Sequence, residues 1–90
     1  MSVRRRLEIV NEKGLHARAS ARLVETVEKF DAAATVSRDG LDASGDSIMG
    51  LLMLAASKGT CIDIETTGPE AEALAKAIAA LVADCFGEGQ

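Results

Sequence analysis

Polar and apolar positions alternate from Arg4 to Asn11, with Leu7 and Ile9 on one side and Arg6, Glu8 and Val10 on the other. A two-residue period of this kind predicts a half-buried strand. After Glu12-Lys13-Gly14 the period lengthens: Ser20, Leu23, Val24, Val27 and Phe30 recur at spacings of three and four, predicting a first helix from Ala17 to Lys29. Arg18, Arg22, Glu25 and Lys29 fall on its solvent side, and Glu25 and Lys29 are spaced for an i,i+4 ion pair. A weaker strand follows at Ala33 to Arg38. Asp39-Gly40 signals a hairpin into Leu41-Asp42-Ala43, so the second and third strands should pair antiparallel.

Ser47 is placed to cap a short helix that opens with the apolar block Ile48-Met49-Gly50-Leu51-Leu52-Met53-Leu54-Ala55-Ala56. That block is either wholly buried or keeps one sticky side for a partner, with Gly50 permitting close approach and Met49 and Met53 as adaptable contacts. Thr60 to Thr66 alternates with Ile62 and Ile64 inward, a fourth strand. Gly68-Pro69-Glu70 then opens a last helix with proline near its first position. Its stripe of Leu74, Ile78, Leu81, Val82 and Cys85 runs through residue 86, and Gly87 ends it. The resulting order βαββαβα, with half-polar strands needing cover on one face, predicts an α+β open-faced β-sandwich: a four-stranded, mainly antiparallel sheet with three helices on one face.

Ninety residues with 48% hydrophobic content allow one core, hence a single domain over 1–90. With two Phe and no Trp or Tyr, stacking surfaces for single-stranded nucleic acid are nearly lacking, and no nucleic-acid partner is expected. Net charge is −4, but residues 1–38 hold eight Lys/Arg against five Asp/Glu and residues 39–90 hold two against nine. The basic half favours an anionic ligand or acidic partner. Cys61 and Cys85 lack CxxC spacing and the chain has one histidine, so no metal or cofactor is expected. Charges in Leu7 to Glu12 argue against a secretory leader, no run is long enough for membrane insertion, and the cytoplasm is the expected location.

The one histidine, His16, lies between a glycine and the predicted helix, with Arg18 two residues on. A helix mouth presents unpartnered N–H groups and the positive end of the macrodipole to anions. Neutral imidazole is a nucleophile near pH 7 and can carry a phosphoryl group, whose charge Arg18 and those N–H groups would offset. A surface or capping histidine without chemistry is the other reading of a lone imidazole.

Gly14-Leu15-His16-Ala17-Arg18-Ala19-Ser20 and Asp46-Ser47-Ile48-Met49-Gly50-Leu51-Leu52-Met53-Leu54 together resemble the two signatures of HPr, the histidine-containing phosphocarrier of bacterial phosphotransferase systems, over nearly the whole chain. The resemblance implies a monomeric carrier rather than an enzyme in its own right. It would take a phosphoryl group on His16 Nδ1 from enzyme I, with Arg18 assisting, and pass it to an enzyme IIA-type acceptor. It also implies partner docking through Ala17, Ser20, Ile48, Met49 and Leu52, and regulatory phosphorylation of Ser47 by HPr kinase/phosphorylase. Ala19 stands where sugar-type members carry proline, and Asp46 where many kinase-regulated members have a basic residue; the Ala19-Ser20 form and the 51–56 run look more like the nitrogen-related branch. A binding module of the same fold, acting through Ser47 and the apolar patch without phosphoryl flux, is the alternative.

Overall fold

The computed structural model describes residues 2–88. The elements are β1 (Ser2–Glu8), α1 (Ala17–Glu28), β2 (Ala33–Arg38), β3 (Leu41–Ser44), α2 (Ile48–Met53), β4 (Cys61–Thr67) and α3 (Ala71–Ala83), followed by a 3-10 turn at Cys85–Gly87. The four strands form one sheet in the order β1-β4-β2-β3, and every neighbouring pair is antiparallel. The expected architecture is therefore the observed one.

Alternation does what the sequence period requires. Ile62, Ile64, Val36, Ala34 and Ala43 are buried beneath the helices, where they meet Leu23, Leu51, Leu74 and Ile78. The opposite face is open and polar. Arg4 pairs with Glu65 across the β1–β4 register at 3.3 Å, and Arg6 holds Asp63 with two bonds of 3.0 and 3.3 Å. Exposed pairs like these are screened by solvent and add little stability. Their consequence is solubility of a face that no helix covers.

The Asp39-Gly40 hairpin takes positive φ at both positions, 51° and 82°, which a two-residue turn between twisted strands demands. Gly50 is needed for contact within the chain, since a Cβ there would stand 3.2 Å from both Ala43 Cβ and Ser47 Oγ. Ser47 caps α2 as expected, its Oγ accepting from Gly50 N–H at 3.0 Å. At the other end Arg38 donates to the Leu54 carbonyl at 3.0 Å, placing a cation at the negative end of the helix. Ser47→Ala is expected to cost about 1 kcal/mol and to lower the melting temperature by roughly 4–8 °C. Calorimetry showing no shift would mean that the cap bond contributes nothing.

Three local expectations need correction. Pro69 lies before the N-cap Glu70 and outside α3; Glu70 instead locks the preceding loop, with Asp31 N–H donating to its carboxylate at 2.6 Å and its own N–H donating to the Asp31 carbonyl at 3.1 Å. Helix α3 stops at Ala83 rather than running through residue 86, because Cys85 and Phe86 both adopt φ of 54°, which no right-handed helix can accommodate. That turn drops the Phe86 ring fully into the core and leaves Cys85 only half-buried, off the helix stripe assigned to it. Finally, among the described residues the i,i+4 ion pair is Glu72–Lys76 at 3.5 Å, and Glu25–Lys29 does not form one.

Candidate functional site

Gly14 shapes the loop that carries the histidine. Its φ of +64° suits glycine, and a Cβ would lie 2.4 Å from the Ala56 carbonyl oxygen and 2.8 Å from Ser57 Cα. The loop is therefore pressed against the segment leaving α2. Leu15 N–H donates to the same Ala56 carbonyl at 2.8 Å, and the Leu15 side chain is buried. These anchors fix the backbone from which His16 projects.

His16 is the N-cap residue of α1, with extended backbone at φ −82° and ψ −174°. Its carbonyl accepts the first helical bond, from Ser20 N–H at 2.8 Å. Its side chain, however, makes no capping bond to the helix. The ring turns instead to the C-terminal turn, where Nε2 meets the Glu88 carboxylate. The His16 side chain remains 28% exposed and that of Glu88 is 12% exposed, so the contact sits at the edge of the protein rather than inside it.

Burial works against ionisation of Glu88. Hydrogen bonds from Asn11 and His16, reinforced by the charges of His16 and Lys13, outweigh it and hold the carboxyl below its ordinary value of 4.5. An ionised carboxylate only accepts, so Nε2 must carry the proton it shares with Glu88. In the neutral ring the lone pair is then on Nδ1, which makes no hydrogen bond among the described residues.

The sign of the acid dependence follows. A carboxyl whose folded-state value is depressed adds stability above its unfolded value and loses that contribution as pH falls through the folded value. The stability advantage of the native protein over Glu88→Gln should therefore be complete above 4.5 and shrink as pH is lowered below it. Thermal midpoints across the acid range test this, and an advantage undiminished at low pH would refute it.

Arg18 is exposed, with no ion-pair partner among the described residues. With Glu12, Lys13, Gly87 and Glu88 it lines a shallow cleft of about 290 Å³. This recess has room for a phosphate group and is bordered by the cations Lys13 and Arg18 as well as by Glu12 and Glu88. Ala17 is exposed beside the ring. Ser20 is not: it is fully buried, and its hydroxyl donates to the Leu15 carbonyl at 3.4 Å, so the expectation of a docking role fails for this residue. Its three-residue spacing from Leu23 already put it on the core side.

The apolar block divides. Leu51 and Leu54 are buried, Leu52 is half-buried, and Ile48, Met49 and Met53 are exposed to 39%, 71% and 75%. Of the two sequence alternatives, the exposed patch is the observed one. Met53, which the resemblance did not supply, is exposed with Met49, as their four-residue spacing on one helical face allows. Helix α2 packs directly on α1, the helix that His16 caps.

Comparison with known proteins decides the family, because the model describing the PTS HPr component phosphorylation site matches residues 3–84. The chain belongs to the HPr family. Relatives include the phosphocarrier protein HPr of Neisseria meningitidis, 47% identical over 93% of this chain and 94% of the relative. The phosphocarrier protein NPr of Escherichia coli is 39% identical over 98% and 99% of the two chains. Among solved structures, HPr-C-His from Thermoanaerobacter tengcongensis superposes with a TM-score of 0.91 at 35% identity, covering 96% of this chain and 97% of that one. Membership of that family makes the chain a phosphocarrier component of the phosphotransferase system. Among the described residues no helix is long and apolar enough to cross a membrane.

Glu88 and Asn11 are the site residues that sequence reasoning missed. They stand 72 and 5 positions from the histidine, and the contact depends on the left-handed turn at Cys85–Gly87. The one available signal was indirect: a nucleophilic histidine needs a group to orient it, and Glu88 is a carboxylate just beyond the last apolar residue, Phe86.

Proposed function

We propose that this protein is a monomeric cytoplasmic phosphocarrier that accepts a phosphoryl group on His16 Nδ1 from the phosphohistidine of enzyme I and delivers it to an enzyme IIA-type acceptor. The observation that carries this reading is the Nε2 contact to Glu88, which leaves Nδ1 as the free nitrogen of a partly exposed ring.

The transfer balances simply. The Nδ1 lone pair attacks phosphorus while the donor's N–P bond breaks and its electrons return to the donor ring. Because Nε2 keeps its proton, positive charge develops on the His16 ring, and the Glu88 carboxylate is placed to stabilise it. The same ring charge makes the imidazole a good leaving group in the onward step, when the acceptor nitrogen attacks and neutral His16 is regenerated. Arg18 and the uncapped first-turn N–H groups of α1 offset the phosphoryl oxygens during both steps.

Docking is assigned to Ala17, Ile48, Met49 and Leu52, with Met53 added from its exposure. Ser47 is assigned as a regulatory phosphorylation site for HPr kinase/phosphorylase. Its half-buried hydroxyl borders Ile48 and Met49, so about two added negative charges there would oppose an acidic partner. Asp46, beside it, accepts from the Ser44 hydroxyl at 2.5 Å.

The test is incubation with phosphoenolpyruvate and enzyme I. One acid-labile phosphoryl group per chain is expected, transferable to an enzyme IIA. A protein that is folded but takes no label would overturn the carrier reading and favour the binding module.

A further inference from the structure

We propose that Asn11 is a positioning residue for the chemistry at His16: its buried amide holds Glu88 in the orientation that fixes the proton on Nε2 and leaves Nδ1 as the nucleophile. The proposal rests on the carrier reading of His16 and adds to it a second, buried member of the site.

Asn11 is fully buried. Its Nδ2 donates both to the Gly14 carbonyl at 2.8 Å and to Glu88 Oε1 at 2.9 Å, while the other Glu88 oxygen meets His16 Nε2. One amide thus ties together the glycine that shapes the histidine loop and the carboxylate that holds the histidine ring. Its orientation is chemically fixed, because both neighbours are acceptors and a rotated amide would face them with its oxygen.

The amide is also costly. Its Oδ1 is buried with no protein partner among the described residues, a situation that costs about 1–3 kcal/mol. An apolar side chain in the same place would avoid that cost. What it could not supply is the pair of N–H bonds, one of which goes to a residue at the far end of the chain.

Glu88 needs such a hold. It follows three consecutive residues with positive φ, at 54°, 54° and 77°, two of which are not glycine. Phe86 anchors the turn by burying its ring, but beyond Phe86 the Glu88 backbone is tied only locally, its N–H donating to the Cys85 carbonyl at 2.9 Å. Without Asn11 the carboxylate retains the His16 bond as its sole side-chain partner among the described residues and can rotate about its own χ angles. Partners that orient a metal-bound imidazole change activity about 10- to 100-fold when removed, and an effect at the lower end of that range is expected for this metal-free ring.

A double-mutant cycle distinguishes positioning through Glu88 from a general structural role. Asn11→Ala and Glu88→Ala should each slow phosphoryl transfer about tenfold, and the double variant should be no slower than Glu88→Ala alone. If the two effects multiply to about 100-fold, Asn11 acts independently of Glu88 and the proposal is wrong. Asn11→Leu, close in volume and without a polar atom, carries the same cycle if the alanine variant fails to fold.

Nitrogen-15 spectra of the free protein supply a readout that needs no enzyme I. The wild-type ring should be in the Nε2–H form, with a mixed population in Asn11→Ala and Glu88→Ala. The Asn11 side-chain amide signal should also shift in Glu88→Ala, and an unmoved signal would refute the contact without any change at Asn11. Failure of the wild type to take label from enzyme I would instead sink the carrier reading, while the ring-proton result would stand or fall by itself.

Discussion

His16→Ala is expected to abolish phosphoryl transfer completely while leaving a folded protein. Loss should be total because this is the chain's one imidazole, and the remaining groups at the site, Arg18 and Glu88, are respectively a cation and an acceptor that cannot hold a phosphoryl group as a phosphohistidine does. The fold should survive for a separate reason. The ring makes no capping bond to α1, and its single side-chain partner, Glu88, keeps its bond from Asn11. We expect a stability loss of about 1–2 kcal/mol, the cost of leaving one charge-assisted bond unmade in a partly buried place. Acid-labile labelling and a thermal melt measure the two effects together. Acid-labile label persisting in the variant would place the carrier residue elsewhere, whereas acid-stable label lost in Ser47→Ala would report the regulatory serine instead.

Gly14→Ala should have the largest effect on the fold, and through the fold on the site. An L-residue at φ +64° is disfavoured by about 1–2 kcal/mol. The added Cβ would in addition lie 2.4 Å from a backbone oxygen and 2.8 Å from a backbone carbon, neither of which can swing aside like a side chain. Overpacking of this kind adds about 1–3 kcal/mol. A total near 3 kcal/mol is a large share of the stability of a small domain and corresponds to a melting temperature lower by roughly 12–24 °C. Where the variant is still folded, the loop must move away from Ala56. That movement displaces the Gly14 carbonyl from Asn11 and should weaken transfer as well. Unchanged stability and transfer would show that the loop is softer than its packing indicates.

Most of the architecture was legible along the chain because strands and helices with one wet face write their period directly into it. Ile62 and Ile64, and Leu74, Ile78 and Val82, read correctly for that reason, whereas the first strand, expected over Arg4 to Asn11, ends at Glu8, with Leu7 half-buried and Ile9 buried just beyond it. The errors fall where short-range pattern stops being informative. Phe86 is as apolar as any helix residue, so the stripe runs on through it; only the packed core shows that φ reverses at Cys85 and Phe86 and that the ring is buried from that turn. Ser20 illustrates the opposite case. Its spacing marked it as inward-facing, and the motif that suggested docking carries no information on which way a side chain points.

The sequence by itself determined the open-faced α+β architecture, the placement of His16 at a helix mouth with Arg18 close by, and the serine that caps α2. All of these depend on residues within a few positions of one another. What only the tertiary structure decided is the contact between Glu88 and the histidine ring and the exposure of Met49 and Met53. Glu88 reaches the ring from 72 positions away, through a turn with no periodic signature, and Asn11 holds it by an amide that looks from the sequence like one more loop residue. A helix mouth creates a favourable place for an anion, a property of local backbone. On the proposed carrier reading, which ring nitrogen is free to take the phosphoryl group is set by a hydrogen bond across the fold, and that depends on how Asn11 and Glu88 pack together.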